Sequence, residues 1–166
     1  MDFTKHYNSL LGGITLASDG EALIGLWFDV QKYFEDTLES EHEEKNLEIF
    51  DETTRWLDIY FSGKNPDFTP KLSMICSDFR KSVWEEMLKI PYGKTTTYKE
   101  IAVKIAKKSG QEHMSAQAVG GAVGHNSISL IIPCHRVIGT NGKLTGYAGG
   151  IDKKIWLLEH EGVSIS

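Results

Sequence analysis

Cys134, His135 and Arg136 stand together in the run Ile131-Ile132-Pro133-Cys134-His135-Arg136-Val137. An apolar stretch stops at a proline and at once presents a thiol, an imidazole and a guanidinium. The nucleophile of sulfur chemistry is the thiolate, and a neighbouring base or cation raises its fraction. Cooperation between the three depends on the backbone. On a continuing strand, adjacent side chains point to opposite faces; on a tight turn, Cys134 and His135 can share a proton path directly or through one water. Proline cannot donate to a sheet ladder, so a strand over about 129–132 is expected to end at Pro133, with Cys134 and His135 on a turn or short helical piece. A cysteine beside an apolar run is most often a small buried hydrophobe, and it is the surrounding Pro-Cys-His-Arg-Val context that argues for chemistry here.

The elements that position this run must be built from 166 residues, enough for one good core or two small domains. No apolar run approaches the length of a membrane span, and the start Met1-Asp2-Phe3-Thr4-Lys5-His6 has no signal-peptide core, so no membrane association and a cytoplasmic protein are expected. Two cysteines, Cys76 and Cys134, are too few for a disulfide framework and lack a Cys-x-x-Cys partner, so neither a metal nor a cofactor is expected. His6, His42, His113, His125 and His160 show no ligand spacing, and Cys76 is read as a core or strand-end residue.

The net charge of -5 hides an asymmetry. Residues 1–79 hold 6 Lys+Arg against 16 Asp+Glu, whereas residues 80–166 hold 12 against 7. An acidic first unit followed by a basic second one fits phosphate recognition by the second, and equally fits an ordinary solvated surface.

The expected fold class is α/β: a small N-terminal α/β domain over 1–76 with a β-hairpin sheet and a structural role, then a mainly helical C-terminal domain over 77–166. Strands over 13–18 and 22–28 joined at Asp19-Gly20 form the hairpin. The acidic stretch 36–52 reads as a solvated loop leading into a helix. From Asn46 the apolar residues Leu47, Phe50, Leu57 and Phe61 recur at helical spacing, with a stop at Gly63, and 71–75 is a candidate further strand. Ser77 caps a helix with Phe79, Val83, Trp84, Met87 and Leu88 on its apolar stripe, ending before Pro91.

Thr97 with Glu100 forms a capping box, so a helix is expected to start at Tyr98 and stop near Gly110, and Ser115 caps another that runs to about Gly124. Two short helices joined by a turn in the basic half read as a helix-turn-helix. The second, Ala116-Gln117-Ala118-Val119-Gly120-Gly121-Ala122-Val123-Gly124, is nearly all small residues, and each interior Gly costs about 1 kcal/mol relative to Ala. Close packing on another helix would offset that cost. So would close approach of a nucleic-acid backbone to the helix N-terminus, or entry into a minor groove. After Cys134, a Thr140-Asn141-Gly142 turn between Val137-Ile138 and Lys143-Leu144 reads as a second hairpin. Gly146 to Gly150 is a small-residue loop carrying Tyr147, and the last helix starts near Asp152 with Ile155, Trp156 and Leu158 expected inside.

Pro133 to Val137 resembles the active-site signature of the alkylguanine-DNA alkyltransferases. The resemblance extends from about Phe79 to Gly162 through Pro91-Tyr92-Gly93, Thr97-Tyr98, Ala118 to Ala122, Asn126, Tyr147 to Gly150 and His160-Glu161-Gly162. Leu11 to Ile14 and the Asp19-Gly20 hairpin look like the family's usual start. The resemblance implies a DNA repair protein acting on double-stranded DNA that contains O6-alkylguanine, bound from the minor groove by a monomer. Cys134 would attack the alkyl carbon and keep the alkyl group, in a single turnover. His135 would deprotonate Cys134 through a water and Glu161 would orient His135. Tyr98 would assist the leaving guanine, and Asn126 would link the helix-turn-helix to the site. The resemblance places Tyr147, Ala148 and Gly149 in the base pocket, and Ser115, Ala116, Gln117, Gly120, Gly121 and Arg136 at the DNA. A base inside a duplex cannot be reached, so the nucleotide must be flipped out. Where the family often has an arginine that fills the vacated stack, this chain has Gln117, shorter and uncharged, from which weaker DNA affinity is expected. The zinc site of some relatives has no cysteines here to build it.

Three other readings use the same residues. A cysteine hydrolase or acyltransferase would employ Cys134, His135 and Glu161 and turn over on an ester. A non-catalytic DNA lesion-binding module needs only the helix-turn-helix and the basic half. A redox-sensing thiol is the third.

Overall fold

The computed structural model describes residues 1–29, 31, 42–144 and 146–165, and the chain forms two compact units. The first comprises Met1–Ile75 together with Ser127–Ser129, and the second Cys76–Asn126 together with Leu130–Ser166. The α/β class expected from the sequence is what the structure has.

The first unit is built on a four-stranded sheet of β1 (Asp2–Ser9), β2 (Gly12–Ser18), β3 (Leu23–Phe28) and β4 (His42–Glu44) in the order β3-β2-β1-β4. The Asp19-Gly20 hairpin is present, with Asp19 Oδ1 accepting the amides of Glu21 and Ala22 at 3.0 Å each and Ser18 pairing with Leu23 after a register shift. β1 is held to β2 by pairs running from Phe3–Ser18 to Ser9–Gly12. Nothing in the alternation of Asp2 to Ser9 announces a strand, because most of its side chains stay in partial contact with solvent. β3, by contrast, is buried at every residue. Of the acidic stretch expected as a loop, residues 36–41 lie outside the described residues, while His42–Glu44 pair with β1 and α1 starts at Glu48. α1 (Glu48–Phe61) buries Ile49, Phe50, Trp56, Leu57 and Tyr60. The segment 71–75 makes one bridge, Leu72 to Leu23, rather than a strand.

The second unit contains α2 (Asp78–Leu88), β5 (Thr96–Thr97), α3 (Tyr98–Ser109), α4 (Ala116–Gly124), β6 (Val137–Ile138) and α5 (Ile151–His160). The three caps are all made. Ser77 accepts the Arg80 amide at 3.3 Å, Thr97 and Glu100 form a full capping box, and Ser115 accepts the amides of Gln117 and Ala118 at 3.1 and 3.2 Å. α3 ends at Gly110 in the left-handed conformation. The Trp84 indole donates to the carbonyl of Ala122 at 2.9 Å and ties α2 to α4.

Three expectations are corrected. Residues 129–132 form turns, not a strand: Ile128 makes a single bridge to Leu26, and Leu130 then adopts φ +70, which no strand allows. Val137–Ile138 is not half of a hairpin; it pairs in parallel with Thr96–Thr97, and Thr140–Gly142 is a turn of 3-10 helix. The inward face of α5 is Lys154, Leu157 and Leu158, with Ile155 and Trp156 only half-buried.

Candidate active site

Pro133 ends the turn that begins at Ser129, and Cys134–Arg136 then form one turn of 3-10 helix, so the thiol and the imidazole leave a tight turn rather than opposite faces of a strand. Cys134 is 4% exposed and His135 fully buried. His135 Nε2 lies 2.6 Å from Glu161 Oε2. The same carboxylate takes the Arg136 guanidinium, with Nε at 2.8 Å from Oε1 and Nη2 at 3.1 Å from Oε2, and it accepts the Gly93 amide at 3.0 Å. The remaining Arg136 nitrogen, Nη1, donates to the Ile90 carbonyl at 2.8 Å. A buried carboxylate thus meets four donors, the arrangement a buried charge requires.

The electrostatics follow. Burial by itself would raise Glu161, but the bond and charge of His135, joined by those of Arg136, outweigh it and hold the carboxyl far below the ordinary carboxylate range. Burial pushes His135 down, against the pull of Glu161, so the resting imidazole is neutral. With its Nε2–H donated to Glu161, Nδ1 carries the lone pair that takes up a proton. Burial pushes the Cys134 thiol up; Asn126, Lys154 and Tyr147 oppose this, the first and last through hydrogen bonds to the sulfur.

The cation whose charge favours the thiolate is Lys154. Lys154 is fully buried on α5, donates to the Val137 carbonyl at 2.7 Å, and is pushed down to about 8 by burial while the charge of Cys134 pulls it up. Arg136, expected both to activate the thiol and to sit at the DNA, is only 8% exposed and commits its guanidinium to Glu161 and Ile90. A lysine missed by sequence reasoning occupies the place assigned to it. The signal was available: Lys154, Leu157 and Leu158 share one face at helical spacing.

Of the other expected residues, Asn126 is buried and donates from Nδ2 to the Ile132 carbonyl at 2.7 Å as well as bonding the sulfur. Tyr98, Tyr147 and Ala148 line a cavity of about 40 Å³ with Gly120, Val123, Gly124, Cys134 and Gly146. Gly149 is half-buried beside it in sequence. Gly93, also missed, has φ +78, and a Cβ there would lie 3.0 Å from the Glu161 carbonyl, so Pro91-Tyr92-Gly93 is a turn that only glycine completes while offering its amide to the carboxylate.

α4 buries Val119, Ala122 and Val123 and leaves Ser115, Ala116, Gln117, Ala118 and Gly121 exposed. A Cβ added to Gly121 or Gly124 would meet nothing within 4 Å, and one on Gly120 only the Tyr98 ring at 3.9 Å. Close helix packing is thus not what the glycines of α4 serve, and their bare face is open to something outside the protein. Among the described residues, no group of three or more His, Cys, Asp or Glu is placed to hold a metal, and no helix is long and apolar enough to cross a membrane.

Residues 78–163 match the family model of the 6-O-methylguanine DNA methyltransferase DNA binding domain, and residues 3–74 match that of the ribonuclease-like domain of the same proteins. The methylated-DNA–protein-cysteine methyltransferase of Methanosarcina acetivorans is 44% identical over 156 residues, 94% of this chain and 96% of that protein. The protein of that name from Methanosarcina barkeri is 52% identical over 117 residues, 70% of this chain and 71% of its own. Among solved structures, Mycobacterium tuberculosis OGT in complex with DNA superposes with a TM-score of 0.83 at 40% identity, covering 96% of this chain and 92% of that one.

Proposed function

The chain belongs to the 6-O-methylguanine DNA methyltransferase family, and we propose on that premise that it repairs O6-alkylguanine in double-stranded DNA by moving the alkyl group to Cys134. The single observation that carries the reading is the Glu161–His135 contact of 2.6 Å on the turn that presents the only cysteine of this site. The relative crystallised in complex with DNA supports DNA as the partner.

The chemistry runs as a displacement at carbon. Neutral His135 takes the Sγ proton of Cys134, directly or through a water, and Glu161 with Arg136 holds the ring and compensates the charge it gains. Lys154, Asn126 and Tyr147 stabilise the thiolate. Sulfur attacks the alkyl carbon, the S–C bond forms and the C–O6 bond breaks. The leaving guanine becomes neutral by taking a proton from the Tyr98 hydroxyl, which the proton gained by His135 replaces through solvent. A thioether is not hydrolysed by this site, so each molecule acts once. The lesion reaches sulfur only when flipped from the stack, and the bare face of α4, with Gln117 at its start, is the surface offered to the minor groove. We place the protein in the cytoplasm as a monomer, where reducing conditions keep Cys134 a thiol.

The test is intact and peptide mass spectrometry after mixing the protein with a duplex carrying one 6-O-methylguanine. One methyl per molecule on the Cys134 peptide is expected, and none in Cys134→Ala. An unmodified, reduced Cys134 would refute the reading.

A further inference from the structure

The chain does not run straight from α4 to the nucleophile. Asn126 and Leu130 belong to the second unit, yet the three residues between them, Ser127–Ser129, are part of the first. There they extend its sheet beside β3: the Leu26 amide donates to the Ser127 carbonyl at 2.8 Å, and the Ser129 amide donates to the Leu26 carbonyl at 2.9 Å. A buried side chain also bonds this segment. Gln31 is 5% exposed, and its Oε1 accepts the Phe28 amide at 2.8 Å and the Ser129 hydroxyl at 3.2 Å.

Leu130 follows at once with φ +70, a fully buried, non-glycine residue in the left-handed region. Such a conformation is strained and persists only where the surroundings hold it. Downstream, Asn126 Nδ2 fixes the Ile132 carbonyl at 2.7 Å, two residues before Cys134. Upstream, the segment is held by its backbone bonds to Leu26 and by the Gln31 side chain.

We infer that Gln31, through Ser129 and the chain that runs on from it, is a positioning residue for Cys134. The inference rests on the alkyl-transfer reading of the site. Ser127–Ser129 is on this view the strap that leads into the active-site turn. Displacement of a reacting atom by about 1 Å lowers a rate by up to about a hundredfold, so a loosened strap is read in the rate of transfer before it is read in binding.

The experiment compares full-length wild type, Gln31→Met, Gln31→Glu and Ser129→Ala. Met keeps the length of the side chain without its acceptor, Glu keeps an Oε acceptor, and Ser129→Ala removes one bond while sparing the one to Phe28. Each is given saturating duplex with one 6-O-methylguanine, and the first-order transfer constant and duplex Kd are measured separately. Alkylation of Cys134 by iodoacetamide is followed in parallel by peptide mass spectrometry. For Gln31→Met the transfer constant is expected to fall about tenfold with Kd within about twofold, iodoacetamide reactivity to fall with it, and Gln31→Glu to recover most of the loss. Ser129→Ala is expected to fall about threefold, and it decides the matter if Gln31→Met does not fold. Wild-type transfer constants in the folded variants would overturn the inference. If wild type itself transfers no methyl, the alkyl-transfer reading has failed on its own, and equal iodoacetamide rates across the set would overturn the positioning role as well.

Discussion

His135 Nε2 and Glu161 Oε2 lie 2.6 Å apart with neither side chain accessible to solvent. This contact fixes the tautomer of the base, keeps its counter-charge in place, and makes the site sensitive to acid in a definite direction.

Glu161 is held ionised where the unfolded chain would bind a proton, so its contribution to stability is present above the ordinary carboxylate range, near 4.3, and is lost as pH falls through and below it. His135 is held neutral where the unfolded chain would bind a proton below about 6.5, so stability falls in the same direction from that point. The melting temperature is expected to drop monotonically from pH 7 to pH 4, with His135→Gln flattening the upper part of the curve and Glu161→Gln the lower. A melting temperature that rises on acidification would contradict both assignments.

Glu161→Gln is also expected to destabilise the protein at pH 7 by about 3–5 kcal/mol, because it leaves the buried Arg136 guanidinium without its counter-charge. Urea denaturation of the two proteins measures this directly. A loss below about 1 kcal/mol, the size of one ordinary hydrogen bond, would show that the pair is not coupled as described.

Lys154 supplies positive charge to the thiolate only while it is protonated, and burial has brought it down to about 8. The transfer rate of wild type is expected to bend downward above that pH. Lys154→Met should lack the bend and react about tenfold more slowly at pH 7, the equivalent of one unit in the thiol pKa. Rates measured from pH 6 to pH 10 decide it, since a bend that persists in Lys154→Met belongs to another group.

Gly121 is exposed and a Cβ there meets nothing, so Gly121→Ala is expected to stabilise the free protein by about 0.4–1 kcal/mol. The same methyl should weaken duplex binding, because it thickens the face offered to the groove. Melting and fluorescence anisotropy on one preparation give both signs; stabilisation with unchanged affinity would remove α4 from the interface.

Gln117→Arg is expected to tighten duplex binding and to steepen its dependence on salt by about one counterion. Gln117 is exposed at the start of α4, where an added guanidinium is free to reach phosphate or base. An unchanged slope of log Kd against log salt would show that this position does not touch the DNA.

Much of this was legible because local rules and global fold agree. Ser77, Thr97 and Ser115 were readable as caps since each has a side-chain acceptor at the start of an apolar or small-residue stripe, and the structure uses each that way. β1 was not legible because its side chains alternate between partly exposed states, with no core face to betray the period. The segment before Cys134 was misread as a strand because Ile131 and Ile132 look like one; the detour through the first unit and the left-handed Leu130 are imposed by tertiary contacts that no local pattern encodes. Lys154 was overlooked for a related reason. Proximity in sequence favoured the arginine, whereas burial on one face of α5 brought the lysine to the sulfur.

The bare face of α4 has a consequence for motion. A nine-residue helix with three glycines, two of them touching no side chain, has little holding its outer hydrogen bonds shut. Its amides should be among the first in the free protein to exchange with deuterium, and a duplex laid against that face should slow them more than any others. On the proposed reading, α4 is a loosely closed latch in the free protein, and contact with DNA is expected to close it.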